Sequence, residues 1–153
     1  MNITYQVEKY SDVREEVSPL GEANFLEGDA RNKHTSINID WDMYSELEDR
    51  GSAILITARD NEILVGYLSL CLSTHPHVKD KVQATSDAIY IEPEVRNSGI
   101  GGGLLAAAEE ALRGAGVFWL SLSFRKESIA KPLMDRLGYE QTDVVFGKNL
   151  GDK

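Results

Sequence analysis

The sequence predicts an α/β (α+β) domain, and three observations carry that prediction. Runs rich in β-branched and aromatic residues alternate with segments of helical periodicity along the whole chain. A glycine-rich turn around Gly99 and Gly101 to Gly103 joins an apolar strand to a helix. The length, 153 residues, suits one domain, 1–153, with a core of its own.

Ile3 to Glu8 reads as a first strand, and Asp12 to Glu27 as one or two helices interrupted at Pro19 and Gly21. Asp40 to Gly51 forms another helix, with Met43, Tyr44 and Leu47 at helical spacing and Gly51 as its stop. Ala53 to Arg59, the turn Asp60-Asn61-Glu62, and Ile63 to Ser73 make a hairpin. Thr74 to Lys81 is expected as a loop and Val82 to Ile91 as the next strand. Ile100 to Arg113 is a helix whose Leu104, Leu105, Ala108, Ala111 and Leu112 share one face, with Gly114 and Gly116 ending it. Val117 to Phe124 is a strand, Glu127 to Leu137 a helix and Glu140 to Lys148 a final strand. The order is β-α-α-β-β-β-α-β-α-β, without internal repeat, linker or low-complexity tract.

Composition narrows the functional classes. No apolar run approaches a membrane span, and Met1 to Tyr5 has neither the basic nor the apolar segment of a signal peptide, so the cytoplasm is the expected location. The single cysteine, Cys71, excludes an internal disulfide and a cysteine-rich metal site. Of the net charge of -9, residues 1–62 carry -8, from fourteen acids and six Lys or Arg. That asymmetry has a plain account, solubility, and a functional one, attraction of a cationic acceptor with repulsion of nucleic acid.

The functional signal lies in Ile89 to Leu105. A helix start presents unpaired N–H groups at the positive end of the helix dipole and binds phosphate readily. Gly99, Gly101, Gly102 and Gly103 let the backbone approach an oxyanion, and Arg96 adds positive charge. A Walker-type loop is excluded because no Lys-Ser or Lys-Thr pair follows the glycines. A dinucleotide site fits poorly, since Gly-x-Gly-x-x-Gly spacing is missing and only fifty residues follow Gly103.

Arg96-Asn97-Ser98-Gly99-Ile100-Gly101 resembles the Gln/Arg-x-x-Gly-x-Gly/Ala acetyl-CoA signature of the GCN5-related N-acetyltransferases (GNAT). Asp87 to Arg96 looks like that family's fourth strand and exit turn, and Leu137-Gly138-Tyr139 like the Leu-Gly-Phe/Tyr that closes its last helix. The resemblance is specific over 85–150 and architectural before it. It implies a mixed twisted sheet of six to seven strands, about four helices and a splay between strands 4 and 5. It also implies that 1–62 form the acceptor side and 82–150 the acetyl-CoA-binding core.

The implied chemistry moves an acetyl group directly from a thioester to an amine. This requires a deprotonated amine, a polarised carbonyl and a proton for the leaving thiolate. By resemblance, acetyl-CoA is the co-substrate, with Ile89, Tyr90 and Ile91 bonding its pantetheine arm through backbone groups. Arg96, Asn97, Ser98, Gly99, Ile100, Gly101 and Gly102 take the pyrophosphate. Asp87 stands where many relatives carry an acid acting on the amine; the alternative is a carboxylate that merely bonds a neighbouring loop. Alternation places Asp87, Ile89 and Ile91 on one face and Ala88 and Tyr90 on the other. Glu92, just before Pro93, is a weaker candidate. The family's usual tyrosine acid and preceding asparagine correspond to Met134 and Glu127, whereas Ala130 matches the small residue between them. Proton delivery then falls to water or Tyr139, and Tyr139 also reads as a packing residue.

His75 and His77 lack a metal-ligand partner set, so no metal is expected, but they suit a substrate-side loop. Cys71 reads as a small buried apolar residue, and Trp41, Tyr44 and Trp119 as core, with Trp41 and Tyr44 also able to wall a pocket. The leading function is acetyl-CoA-dependent N-acetylation of a small-molecule or peptidic amine, cationic by the charge argument. The alternative is an acyl-CoA-binding sensor or interaction partner with weakened catalysis. A nucleic-acid base modifier ranks third because of the acidic first part. Relatives commonly form homodimers.

Overall fold

The structure is a computed structural model that describes residues 1–28, 30–125, 128 and 130–151. Among the described residues, five strands form one mixed sheet in sequence order: β1 (Ile3–Glu8), β2 (Ala53–Asp60), β3 (Ile63–His75), β4 (Val78–Ile91) and β5 (Val117–Ser121). Antiparallel pairing runs from β1 to β4, and β5 joins β4 in parallel. The α-helices among the described residues are α1 (Tyr10–Leu26), α2 (Trp41–Asp49), α3 (Ile100–Gly114) and α4 (Lys131–Arg136). No helix among the described residues is long and apolar enough to cross a membrane.

The sheet separates two apolar clusters. On one face, Ile100, Leu104, Leu105, Ala108 and Leu112 of α3 pack on Ile56, Ala58, Leu68, Leu70 and Ala84. On the other, Tyr10, Val13, Val17 and Leu20 of α1 pack on Ala53, Leu55, Tyr67 and Tyr90, with Trp41, Tyr44 and Leu47 of α2 at the margin. This two-sided burial explains why β2 and β3 read as nearly continuous apolar runs.

Local chemistry accounts for most boundaries. The Asp40 side chain accepts the Met43 N–H at 2.9 Å and so caps α2, while Gly51 takes φ +70° just beyond it. Asn61 (φ 47°) and Glu62 (φ 73°) form the left-handed pair of a tight hairpin turn. Gly103 lies so close to Tyr5 on β1 that a Cβ there would fall 2.0 Å from the ring. Helix α3 is thereby seated directly on the sheet.

Several elements differ from expectation. Pro19 and Gly21 do not divide α1, which is continuous over seventeen residues. The burial of Val13, Val17 and Leu20 outweighs one missing hydrogen bond, and Gly21 is a packing position where a Cβ would meet Ile39 at 3.1 Å. The expected loop 74–81 is instead a hairpin, since β3 reaches His75 and β4 begins at Val78. Helix α4 is shorter than expected, and Glu127, at which it was to begin, lies outside the described residues.

The sheet has five strands rather than six to seven, because 140–148 joins no ladder. Val144, Val145 and Phe146 are consecutive, so no two-residue alternation gives them a common buried face; all three are exposed. Strand β5 is consequently an edge over Val117–Ser121, and Trp119, expected in the core, is 41% exposed.

One buried ionic cluster holds α1 to the sheet margin. Arg59, 6% exposed, donates to Glu8 at 3.0 Å and to Glu16 at 2.7 Å, while Thr57 donates to Glu8. The Arg59 guanidinium holds the Glu16 carboxyl below its ordinary range. Arg59→Met should destabilise the fold by about 3 kcal/mol, the low end for a broken buried pair because Glu16 is half exposed and regains water. Since the folded-state value of Glu16 is depressed, its contribution is present above the ordinary carboxylate range and lost as pH falls through the depressed value. Urea denaturation from pH 7 to pH 3 should therefore show a smaller acid loss in Arg59→Met than in the parent protein.

Candidate active site

A register change in β4 builds the site. Ser69 of β3 pairs with Ala88, yet the next residue, Leu70, pairs with Ser86, so Asp87 is an extra residue without a partner. This β-bulge reverses the alternation. Val82 and Ala84 face the α3 cluster before it; after it, Ile89 and Ile91 face that cluster while Ala88 and Tyr90 face α1 and α2. Asp87 therefore does not share a face with Ile89 and Ile91, as simple alternation implied. It turns towards α1 and α2.

There its carboxylate meets two hydroxyls. Tyr44 of α2 donates a short hydrogen bond to Asp87 Oδ2, and Ser69 donates to the same oxygen at 3.0 Å. Behind them Tyr10, buried in α1, lies 2.8 Å from Ser69 Oγ and 3.1 Å from the Ile54 carbonyl. The rings of Tyr10 and Tyr44 stack at 4.8 Å, with Trp41 at 5.8 Å from Tyr44. Burial first, then the Asp87 bond, pushes the Tyr44 phenol far above its ordinary range, so it remains a proton-bearing donor to the carboxylate. Asp87 itself stays exposed on its open side. The arrangement is an oriented, accessible carboxylate beside aromatic faces.

Beyond this point β4 and β5 diverge. Their pairing covers Val82 to Thr85 against Val117 to Ser121, and a side-chain bond, Ser123 N–H to Ser86 Oγ at 2.8 Å, marks the fork. The β4 backbone from Asp87 to Ile91 has no β5 partner, leaving a strand edge open beside Asp87. At the far end, Asn97 (φ 64°) and Gly99 (φ 88°) are left-handed, and Gly99 caps α3. The first bond within α3 is Gly103 N–H to Gly99 O at 3.1 Å, so the amides of Ile100, Gly101 and Gly102 project ahead of the ladder. Ser98 turns its hydroxyl back onto the Val95 carbonyl. An acyl-bearing pantetheine chain along β4 and a phosphate at the helix start both fit this layout.

The remaining candidate residues fall in different places. Arg96 lies 5.3 Å over the Tyr90 ring, donates to the Ile91 carbonyl at 2.8 Å and forms a pair with Glu27 at 2.9 Å to each oxygen. Tyr139 is not brought to Asp87; it donates to Glu109 on α3 at 2.7 Å, and burial with that bond pushes its phenol well up. Met134 packs against the α3 cluster. His75 and His77 meet edge to face in the β3–β4 hairpin, and no group of metal-binding residues exists among the described residues. Cys71 is half-buried, with its thiol pushed up by burial. Two surface recesses of about 390 and 260 Å³ share Asn38, Ile39 and Trp41, but neither is lined by β4, β5 or the glycine turn.

Sequence reasoning did not find Ser69 and Tyr10, which look like ordinary core positions, or the pairing of Glu27 with Arg96. Of the aromatic residues grouped behind Asp87, the sequence marks Trp41 and Tyr44 as able to wall a pocket.

The profile of the Acetyltransferase (GNAT) domain matches residues 50–141. A GCN5-related N-acetyltransferase from Ralstonia eutropha JMP134 superposes with a TM-score of 0.76 at 19% identity, over 98% of this chain and 100% of that one. An aminoglycoside acetyltransferase, meta-AAC0020 from an uncultured soil metagenomic sample, in complex with sisomicin, gives 0.73 at 17% identity over 97% and 96%. AAC(6')-Iy, in complex with the bisubstrate analogue CoA-S-monomethyl-acetylneamine, gives 0.72 at 14% identity over 97% and 98%. No curated protein matches the sequence. With the profile covering more than half of a chain that also carries the forked sheet and glycine turn, the protein belongs to the GNAT acetyltransferase family.

Proposed function

We propose that the protein transfers the acetyl group of acetyl-CoA to a primary amine, with Asp87 as the base that takes the proton from the incoming ammonium. The reading rests chiefly on the bulge, which sets the Asp87 carboxylate at the fork and turns it towards the acidic, aromatic α1–α2 side. Acetyl-CoA supplies the activated acyl group when bound. The amides of Ile100, Gly101 and Gly102, behind the turn from Arg96 to Gly99, would hold its pyrophosphate; backbone groups of Ile89, Tyr90 and Ile91 would hold its pantetheine arm.

A cationic amine suits the acceptor side for two physical reasons. Carboxylates predominate in residues 1–62, and the partly exposed rings of Trp41 and Tyr44 attract a positive charge. The sisomicin complex of meta-AAC0020 supports this choice by analogy alone. Tyr44 and Ser69 orient one carboxylate oxygen, leaving the other for the substrate proton. Since Tyr139 is engaged with Glu109, water is the better source of the proton that the departing thiolate takes.

A second reading is an acyl-CoA-binding protein without efficient turnover, and Met134 favours it. Packed against the α3 cluster at the tyrosine acid's expected place, Met134 has no proton to give.

Calorimetric titration with acetyl-CoA, followed by thiol release across a panel of primary amines, separates the two. Binding with amine-dependent release is expected; binding without release from any amine supports the second reading, and no binding refutes both. Asp87→Asn should lower kcat about a hundredfold or more while the acetyl-CoA Kd holds, and a fully active variant would remove Asp87 from the chemistry. Gly99→Val forces a β-branched residue to φ 88° and should abolish acetyl-CoA binding with an unchanged far-UV circular dichroism spectrum. Tight binding by that variant would argue against the turn as the pyrophosphate site.

A further inference from the structure

Glu27 ends α1, and no sequence motif marks it. Its carboxylate nevertheless joins three parts of the fold. One guanidinium nitrogen of Arg96, on the turn that leaves β4, lies 2.9 Å from both carboxylate oxygens. Arg125, on the segment that leaves β5, donates to Glu27 Oε2 at 3.3 Å. The two arginines thus stand on the two separate arms of the fork, and one carboxylate spans them.

Further details agree with a built junction. Arg96 is fixed on its other side by the Ile91 carbonyl and by the Tyr90 ring, so Glu27 meets an oriented guanidinium. Between the arms no backbone ladder exists beyond Thr85 and Ser121. Apart from the Ser123–Ser86 bond at the fork's base, the Glu27 pairs are the polar ties recorded across its mouth among the described residues. The bond to Arg96 is the main cause that holds the Glu27 carboxyl below its ordinary range, so it is ionised at neutral pH. Arg125 Nη1 is buried and makes no hydrogen bond among the described residues, where the Arg125 side chain is held through the nitrogen that reaches Glu27.

We infer that Glu27 is a positioning residue that clasps the mouth of the fork, fixing the distance between the β4 and β5 arms and thereby the affinity for acetyl-CoA. The inference rests on the acetyl-transfer reading of that fork. It assigns α1 a function in cofactor binding as well as on the acceptor side. Because the two arginines are occupied by Glu27, the phosphate-binding task stays with the backbone amides ahead of α3. The clasp contributes by presenting those amides and the open β4 edge at one spacing, which removes part of the ordering cost of binding.

The test uses two variants of the whole chain. Glu27→Asp keeps the charge and shortens the reach by one carbon; Glu27→Gln keeps the reach and removes the charge. In Glu27→Asp the acetyl-CoA Kd should rise about tenfold, with a thermal midpoint within about 2 °C of the parent. In both variants, amide hydrogen exchange should accelerate at residues 96–103 and 122–125 but not in β2 and β3. A purely structural role would instead lower the midpoint and accelerate exchange throughout. Unchanged exchange on either arm overturns the inference, as does an unchanged Kd in Glu27→Asp. Tighter acetyl-CoA binding by Glu27→Gln also overturns it, since Glu27 would then compete with phosphate for the arginines. If the parent protein binds no acetyl-CoA, the acetyl-transfer reading falls, and acceleration on both arms alone decides whether Glu27 holds them.

Discussion

The hydrogen bonding of β4 is the constraint on which the rest of the molecule depends. One side of this strand is committed to β3 along nearly its whole length, whereas the other side meets β5 for only four residues. A sheet interior cannot leave backbone groups unpaired without a cost. The open stretch of β4 lies past the point where β5 leaves it, and an extended chain with amide groups of its own could complete the ladder there. The bulge at Asp87 sits two residues past the last β4–β5 pair, so the point at which pairing ceases is also the point at which the carboxylate is re-aimed.

How far the sequence alone leads depends on whether the determining interactions are local. The β2–β3 turn and the Gly51 stop of α2 are set within a few residues, and each is readable from residue type. The glycine turn was readable for the same reason. The orientation of Asp87 was not, because it depends on which β3 residue pairs with which β4 residue, and an alternation count assumes that no residue is skipped. Pro19 shows the converse error: a local breaker was given more weight than the apolar face of α1, which tertiary packing rewards. The failed strand at 140–148 had β-forming residues but no alternation to give them a buried side. Glu27 was illegible because a single glutamate carries no pattern, and its partners lie 69 and 98 residues away.

The site is divided between two layers with different chemistry. On the α3 side, apolar contacts and backbone amides form a surface suited to a long ligand whose identity is recognised by shape and phosphate charge. On the α1–α2 side, hydroxyls and carboxylates meet aromatic rings, which suits a compact polar amine. Asp87 is accessible between them, and the sequence of tyrosines and Ser69 behind it keeps its geometry without removing it from water.

The contact between Gly103 and the Tyr5 ring has a mechanical consequence. With no Cβ between them, α3 rides on β1 as part of the sheet, and its first turn has little freedom to translate. Strand β5, by contrast, is a short edge joined to its neighbour by four residue pairs. Any widening of the cleft is therefore carried mainly by a swing of the β5 arm, while on the other wall only the turn and the free amides ahead of Gly103 can loosen, so the two walls differ in compliance: one acts as an anvil with a yielding lip, the other as a hinged leaf.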